Sequence, residues 1–544
     1  MAKGQSQLLI VGSGISALMS AYQAVQRGYQ VCLLSKSPDP RCTPAAIFDS
    51  STWDGSINRY VTLTEGHPYL FLPGYINSVY PGIDRDFLTD LTVGGMLGLP
   101  LERWDQLTAE FLQTRSQANQ DFQAAQQLFL EYLDENRASL EIWYGLLQQI
   151  LATDPTLLDR LSLHWQGIDR FYDNLALYES ALSSQENQQV VKAFYPAAQL
   201  NEQIDFQAYH RGLKSNQPFI QGGAITIYGL SFDVKQLGCW LLDWLESHGA
   251  MLHLGTNYEV TAIEKDAAGE VSGLRTRSQQ VFCAKHILMH PGAYMAPQVL
   301  AGTPAYGKLA GVKGLWLRLR QPQEHLGISM PRPNKVHGGK YSIELDGQVY
   351  QGQITDLNVM PQVYPDGSWD LVIGSGYLFV GLYPFVPAAD LALAEQLVLR
   401  SFVRVVEELY DISIDLPQVL AGEHPWIDLP SSGCVRSWTA DDRELRVILP
   451  TDSGGALLID GGGNTGSTTK APFISQVALD WIDSINSIEC QPNRSALADL
   501  ESEYERIRCD RRRSKAELTA THWQQLENAL GQTIQVICSQ RQLV

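Results

Sequence analysis

A short glycine-containing string near the amino terminus is the part of the sequence whose residue types and spacing most clearly suggest chemistry. The pattern G-x-G-x-x-A is formed by Gly12, Ser13, Gly14, Ile15, Ser16 and Ala17. In this pattern the first glycine permits a tight turn, the second lets a phosphate approach the backbone, and the small last residue lets a helix pack closely on a strand. The string therefore predicts a turn that binds the pyrophosphate of a dinucleotide.

The residues on either side of this turn have the pattern of a strand, a helix and a second strand. Residues 8–11 are an apolar run, residues 18–27 carry apolar side chains at helical spacing, and residues 31–34 are apolar again after Gly28. The pyrophosphate would lie at the positive amino-terminal end of the helix. A glycine turn without a nucleotide is the plain alternative, but this context favours dinucleotide binding.

The end of the second predicted strand departs from the usual pattern. An acidic residue normally holds the adenosine ribose there, whereas this chain has Ser35 and Lys36. A serine can still hydrogen-bond a ribose hydroxyl, and a lysine can tolerate or attract a 2′-phosphate. The position is therefore compatible with a dinucleotide without deciding which one.

Length, charge and cysteine content restrict the class of protein. A chain of 544 residues is longer than a domain with one hydrophobic core usually is, so two domains or one domain with large insertions are expected. The formal net charge of −19 argues against nucleic acid as a partner and against a purely electrostatic membrane attachment. We see no C-x-x-C pair among the eight cysteines, no export signal and no stretch long enough for a transmembrane segment. These features predict a cytoplasmic protein.

Two long segments carry no chemistry that the sequence identifies. Residues 37–82 form an irregular stretch rich in aromatic residues, which suits packing under a loop or, alternatively, a substrate-channel wall or a peripheral membrane contact. Residues 103–212 have a helical pattern and are interpreted as a helical insertion.

The remaining chain alternates between sheet and helix patterns. Residues 222–295 are typical of an α/β region, and residues 311–427 of a mostly antiparallel sheet followed by a helix. The tail beyond residue 490 is polar and helical, and Arg511, Arg512 and Arg513 are predicted to face solvent.

Three motifs in order resemble the D-amino-acid oxidase and glycine oxidase superfamily of FAD-dependent oxidoreductases. The turn at residues 12–17 is the first, and the segment 222–314, with Pro291-Gly292-Ala293 after a strand, is the second. In the third, residues 433–441 are similar to the family's G-l-R-p-x-t-x-D and residues 460–472 to its glycine-rich loop beside the flavin.

The resemblance implies an α/β fold with a Rossmann-like FAD-binding domain of the GR2 type. A second, substrate domain would be built on a mostly antiparallel sheet with the helical insertion. The implied division of the chain assigns residues 1–95, 222–298 and 428–490 to the FAD-binding domain, residues 96–221 and 299–427 to the substrate or cap domain, and residues 491–544 to a helical tail.

The chemistry implied by the resemblance is oxidation of a C–N bond in a small-molecule amine or amino acid. FAD would accept a hydride at its N5 atom, and oxygen or another carrier would accept the electrons. Hydride transfer from a neutral amine needs little acid–base machinery, so the lack of a Ser/His/Asp triad or a paired-carboxylate motif is expected.

Particular residues follow from the same resemblance. Arg436 would bind the substrate carboxylate, its alternative being an ion pair with Asp441 or Asp442. His290 is a candidate catalytic residue next to the cofactor, with a purely structural role as the alternative. The residues implied in cofactor binding are Gly12, Ser13, Gly14, Ile15, Ser16, Ala17, Ser35, Lys36, Val260, Gly292, Gly462, Gly463, Asn464, Thr465, Gly466, Ser467 and Thr468. No histidine or cysteine spacing suggests a metal site.

The chain also departs from the family pattern at residues 441–446, where D-g-x-P-x-i-G is replaced by Asp-Asp-Arg-Glu-Leu-Arg. Two alternatives stay open, the first because of the aromatic loop at residues 53–82 and the helical insertion, the second because of this departure and the missing ribose-binding acid. One is an FAD-dependent oxidase or desaturase of a larger, less polar metabolite, and the other is a nucleotide-binding scaffold protein whose active site has decayed.

Overall fold

The fold is described from a computed structural model of the chain. The structure describes residues 6–41, 60–64, 104–118, 122–183, 191–202, 220–337, 340–345, 347–353, 357–386, 388–429, 434–463, 467–488, 497–513 and 519–541. Most of the aromatic segment 37–82, together with Asn464, Thr465 and Gly466, lies outside these ranges. Among the helices within them, none combines the length and the apolar character needed to cross a lipid bilayer.

The described strands and helices follow each other in mixed order. The strands are β1 (Ser6–Val11), β2 (Val31–Ser35), β3 (Tyr60–Thr64), β4 (Ile168–Tyr172), β5 (Val191–Pro196), β6 (Gly223–Ile227), β7 (Gly229–Asp233), β8 (Met251–Leu254), β9 (Val260–Lys265), β10 (Val271–Thr276), β11 (Val281–Phe282), β12 (Ala284–Met289), β13 (Ala310–Leu319), β14 (Asn334–His337), β15 (Lys340–Leu345), β16 (Gln348–Gln353), β17 (Leu357–Val363), β18 (Trp369–Gly381), β19 (Ile427–Asp428), β20 (Cys434–Trp438), β21 (Leu445–Pro450) and β22 (Ala456–Gly461). The α-helices are α1 (Ile15–Gln26), α2 (Gln106–Ala118), α3 (Phe122–Thr153), α4 (Leu158–Leu161), α5 (Leu175–Ser183), α6 (Ala197–Glu202), α7 (Val234–Ser247), α8 (Pro322–Leu326), α9 (Ala388–Tyr410), α10 (Leu416–Ala421), α11 (Ser467–Ile488), α12 (Leu497–Arg513) and α13 (Ala520–Arg541).

The amino-terminal apolar runs form the centre of a six-stranded sheet with the order β21-β22-β12-β1-β2-β8. Pairing is parallel throughout except between β21 and β22. Helices cover one face of this sheet, and the small antiparallel sheet β11-β10-β9 covers the other, which is why its central strands are apolar on both faces. The predicted α/β class is confirmed.

Helix ends in this part of the chain follow local chemistry. Helix α1 begins directly after Gly14 and ends before Gly28, whose positive φ of 86° suits glycine. Helix α7 begins at Val234 because the Asp233 carboxylate accepts hydrogen bonds from the backbone N–H groups of Lys235 and Gln236.

A second sheet of nine described strands has the order β19-β13-β18-β17-β14-β4-β6-β5, with β20 also paired to β13. Its pairs are antiparallel except for β14 with β4. Helix α9 packs against it around a separate hydrophobic core. Because β20 leads into the loop before β21, the two sheets meet at residues 434–445.

The interpretation of residues 103–212 as helical is wrong in part. Helices α2 and α3 are present, but β4 and β5 are strands of the second sheet. All five residues of β4 are buried, including Asp169, whose carboxylate accepts hydrogen bonds from Thr226 and Arg332. A strand with both faces buried and a charge in its middle has no alternating pattern, so the sequence does not mark it as a strand.

The tail packs as part of the fold. Helices α12 and α13 contact α3, and buried residues of both, such as Tyr504 and Trp523, belong to the core beneath the parallel sheet. Arg508 of α12 has a side chain only 5% exposed and donates hydrogen bonds to Glu135 of α3. The prediction that Arg512 faces solvent is wrong, since its side chain is 12% exposed and pairs with Glu131.

We expect Arg508→Ala to destabilise the protein by about 3–5 kcal/mol, because the buried Glu135 carboxylate would lose its two hydrogen bonds from Arg508. Urea unfolding followed by circular dichroism measures the loss. Arg506→Ala, on the same helix and paired only at the surface, is the matched control and should leave the unfolding midpoint unchanged. Equal effects of the two substitutions would contradict a buried ion pair.

Candidate cofactor and active site

The carboxyl ends of three parallel strands meet at one edge of the six-stranded sheet. Strand β1 leads into the glycine turn, β12 into residues 290–292 and β22 into residues 461–463. Neighbouring parallel strands end on the same side, and the His290 backbone N–H donates to the Val11 carbonyl at 3.0 Å. Residues of all three loops line a single cleft.

The glycine turn has the geometry that a pyrophosphate requires. Gly12 has a φ of +116°, and a Cβ there would lie 3.1 Å from the His290 carbonyl oxygen. A Cβ on Gly14 would meet nothing within 4 Å, so this residue faces open space in the cleft. Helix α1 starts here without a side-chain cap or an acidic residue in its first turn. Its free N–H groups therefore fit an anionic ligand.

Ser35 and Lys36 lie at the end of β2, next to this turn. The Ser35 hydroxyl is 2.8 Å from the Ser13 hydroxyl and accepts a hydrogen bond from the Ser37 N–H at 3.2 Å. The Lys36 ammonium donates to the Tyr294 carbonyl and lies 4.8 Å from the centroid of the Tyr383 ring. The serine thus connects the second strand to the turn, while the lysine points towards an aromatic pair.

The loop after β22 is shaped by its glycines. Gly462 has a φ of +69°, and a Cβ there would lie 2.5 Å from the Thr439 side chain. Gly462, Gly463 and Thr468 line the cleft. Helix α11 begins at Ser467, and the Trp143 ring N–H of α3 donates to the carbonyls of its first turn. The loop and the helix start therefore lie close against the cleft, where a side chain on Gly462 would not fit.

Arg436 lines the same cleft from the side of the second sheet. Strand β20 holds it opposite Val312 of β13. Asp442, one of the two acids predicted as alternative partners, accepts hydrogen bonds from Arg115 and from the Trp438 ring N–H, the latter at 2.7 Å. The structure thus brings Arg436 together with Gly14, Gly292 and the loop after β22.

His290 lies at the end of β12 and also lines the cleft. Its Nε2 atom is 3.0 Å from the Ser20 hydroxyl, and the ring forms a second hydrogen bond with the backbone carbonyl of Asp460. Burial lowers its pKa to about 4, so the ring is uncharged at neutral pH. Through these contacts His290 connects helix α1 to the end of strand β22. A catalytic role for His290 stays a prediction.

A buried ion cluster beneath the cleft was missed by sequence reasoning. We define it as Glu135 of α3, Glu444 of the loop before β21, Lys470 of α11 and Arg508 of α12. The Glu444 carboxylate is bound by Lys470 and, at 2.7 Å, by Arg508. Burial would raise the pKa of Glu444, but the two cations lower it more, so the group is ionised.

Tyr132 of α3 completes the contacts of this cluster. Its ring lies 3.8 Å from the Lys470 ammonium, and its hydroxyl accepts from the Glu444 N–H at 2.7 Å and donates to the Asp442 carbonyl at 3.0 Å. The departure from the family pattern at residues 441–446 is the sequence feature that could have pointed to this cluster.

Four of the predicted cofactor-binding residues remain, namely Val260 and residues 464–466. Val260 begins β9 and packs in the core with residues of β1 and β2. The three loop residues 464–466 lie outside the described chain. Within the described residues we find no group of three or more His, Cys, Asp or Glu side chains that could hold a metal ion.

We expect Gly14→Val to weaken FAD binding, because its side chain would fill the open space in front of helix α1. An overpacking cost of about 1–3 kcal/mol corresponds to a roughly 5- to 150-fold higher dissociation constant. Titration of the apoprotein with FAD, followed by flavin fluorescence, measures this. Gly145→Ala, in the interior of α3 with equally free space, is the control and should bind FAD like the wild type. Unchanged affinity of Gly14→Val would contradict pyrophosphate binding at the turn.

Comparison with known proteins identifies the family of this chain. The family described as FAD dependent oxidoreductase, abbreviated DAO, matches residues 7–469. None of the curated protein sequences matches the chain.

The solved structures that are similar to this chain have low sequence identity to it. A glycine oxidase from Bacillus cereus ATCC 14579 is 13% identical, with 88% of this chain and 98% of that chain covered and a TM-score of 0.49. An iminodiacetate oxidase from Chelativorans sp. BNC1 is 13% identical, with 90% and 97% covered and a TM-score of 0.49. The fructosyl amine:oxygen oxidoreductase Amadoriase I from Aspergillus fumigatus is 14% identical, with 89% and 88% covered and a TM-score of 0.47.

The family match covers well over half of the chain. The resemblance predicted from the sequence is therefore confirmed, as is FAD as the cofactor. The chain belongs to the DAO family and is an FAD-dependent oxidoreductase.

Proposed function

We propose that this enzyme oxidises a C–N bond of an amine or amino acid and that Arg436 binds the substrate carboxylate. The observation that carries the proposal is the position of Arg436 in the cleft lined by the glycine turn, Gly292 and the loop after β22. A planar guanidinium binds a carboxylate through two parallel hydrogen bonds and so fixes its orientation.

The residues around the cleft have separate tasks in this proposal. Residues 12–17 and the start of α1 hold the pyrophosphate, and residues 461–463 with the start of α11 approach the flavin ring. FAD, when bound, accepts a hydride from the substrate carbon attached to nitrogen. The predicted division into an FAD-binding domain and a substrate domain is part of the same proposal.

Arg436 would orient that carbon by fixing the carboxylate next to it. The amine must be neutral, since its lone pair forms the C=N bond as the hydride leaves. The nitrogen then loses a proton to solvent, and water hydrolyses the imine to a carbonyl compound, which releases the nitrogen as ammonia or an amine. The His290 ring is uncharged at neutral pH and so adds no positive charge to the cleft in which the neutral amine reacts.

The unusual segment 441–446 bears on the alternative of a decayed scaffold protein. Asp442, Glu444 and Arg446 are bound by Arg115, Arg508 and Glu505, respectively. These partners lie on α2 and α12, so the segment contacts helices outside the two sheets. These contacts support the hypothesis that the segment forms a differently built active-site wall, rather than the hypothesis that the active site has decayed.

Anaerobic reduction of the bound flavin by a panel of amines and amino acids tests the reaction. We expect Arg436→Ala to raise the apparent dissociation constant of carboxylate substrates roughly 10- to 150-fold, because charge-assisted hydrogen bonds contribute about 1.5–3 kcal/mol. Arg436→Lys should recover part of this affinity, since it keeps the charge without the planar pair of donors. Bleaching of the flavin absorbance gives both the rate and the affinity.

Arg443→Ala is the matched control, because this exposed arginine lies on the loop that follows β20 and is absent from the cleft lining among the described residues. It should behave like the wild type. Unchanged carboxylate affinity in Arg436→Ala would overturn the role of Arg436. Reduction only by larger, less polar compounds would favour the oxidase or desaturase alternative, and reduction by none of the amines and amino acids would overturn the proposed C–N oxidation.

A further inference from the structure

We infer that Asp460 is a further cofactor-binding residue, whose carboxyl group faces the bound dinucleotide in its protonated form and donates a hydrogen bond to one of its oxygens. The inference rests on the proposed position of FAD in the cleft. It assigns a role to a residue that the family resemblance left without one.

The position of Asp460 follows from the sheet. It is the penultimate residue of β22, immediately before the glycine loop, and it lines the cleft together with Gly14 and Gly292. The residue is only 5% exposed. The His290 ring hydrogen-bonds its backbone carbonyl, so the main chain is fixed at this point. An acidic side chain is thus held at the edge of the parallel sheet where the cofactor is proposed to bind.

The ion cluster beneath the cleft is neutral without Asp460. Glu444 is matched by Lys470, and Glu135 by Arg508, which also contacts Glu444. Within the described ranges the Asp460 carboxyl has no hydrogen-bond donor directed at it. A buried carboxylate in such a setting costs several kcal/mol, whereas a protonated carboxyl avoids this cost.

The charged surroundings favour the same protonation state. Burial, followed by the Glu444 charge, raises the pKa of Asp460 well above its usual range, and Lys470 lowers it less. The ionisable groups packed around Asp460 come from five other elements and comprise Glu135 of α3, His290 after β12, Glu444 and Arg446 of the β21 region, Lys470 of α11 and Tyr504 of α12.

Protonation changes what this residue can do for the cofactor. A carboxylate at this edge would repel the pyrophosphate, which carries negative charge itself. A neutral carboxylic acid is a hydrogen-bond donor and can bind either a phosphate oxygen or a hydroxyl oxygen of the polyol chain. Both acceptors belong to the same dinucleotide.

Infrared difference spectroscopy of the apoprotein with and without FAD tests the protonation state. We expect a C=O stretch of a protonated carboxyl group in the wild type at neutral pH, and we expect FAD to shift it to lower frequency. Asp460→Asn should lack this band. Asp452→Asn, an exposed aspartate in the turn of the same β21–β22 hairpin, should keep it.

Fluorescence titration with FAD tests the hydrogen bond. Asp460→Asn, which keeps a neutral donor, should bind FAD as tightly as the wild type, and Asp460→Ala should bind roughly 3- to 10-fold more weakly. Wild-type affinity in Asp460→Ala, or a protonated band that is absent or unaffected by FAD, would overturn the inference. No amine is present in either experiment, so the result is independent of whether the proposed reaction occurs.

Discussion

The ion cluster of Glu135, Glu444, Lys470 and Arg508 is the interaction on which the arrangement of this protein depends. Four buried charges must be matched within a few ångströms, because each one alone would cost several kcal/mol in the interior. Each charge comes from a different element. Helix α3, the loop before β21, helix α11 and helix α12 can therefore all be in place only together.

This requirement connects the part of the chain beyond the family match to the wall of the cofactor cleft. The family match ends at residue 469, whereas Lys470 and Arg508 lie beyond it. Glu444 lines the cofactor cleft and also a second cavity bordered by residues of α3 and α12. A substitution on the tail helix α12 would thus act on the wall of the cleft through a single buried carboxylate, without any direct contact between the tail and the cofactor.

The sequence predicts the structure best where a short local pattern has a single physical explanation. The turn at residues 12–17 is read from glycine positions, and the structure has a strand, a helix and a parallel strand around it. The ion cluster was not predictable, since its members are separated by up to 373 positions and each alone looks like a surface charge. Strand β4 is not predictable for a related reason, because Asp169, which pairs with the partly exposed Arg332, interrupts its apolar pattern.

The segment 441–446 shows how a departure from a motif can be interpreted. Taken alone, the loss of the family's proline and glycine suggests decay, because nothing in the sequence indicates what replaced them. In the structure, Asp442 keeps a positive φ of 61°, and its carboxylate is bound by Arg115 and Trp438. A non-glycine residue in this conformation is strained, and the buried hydrogen bonds offset that cost. Side-chain contacts to helix α2 and strand β20 thus hold a loop conformation that a glycine would otherwise adopt without strain.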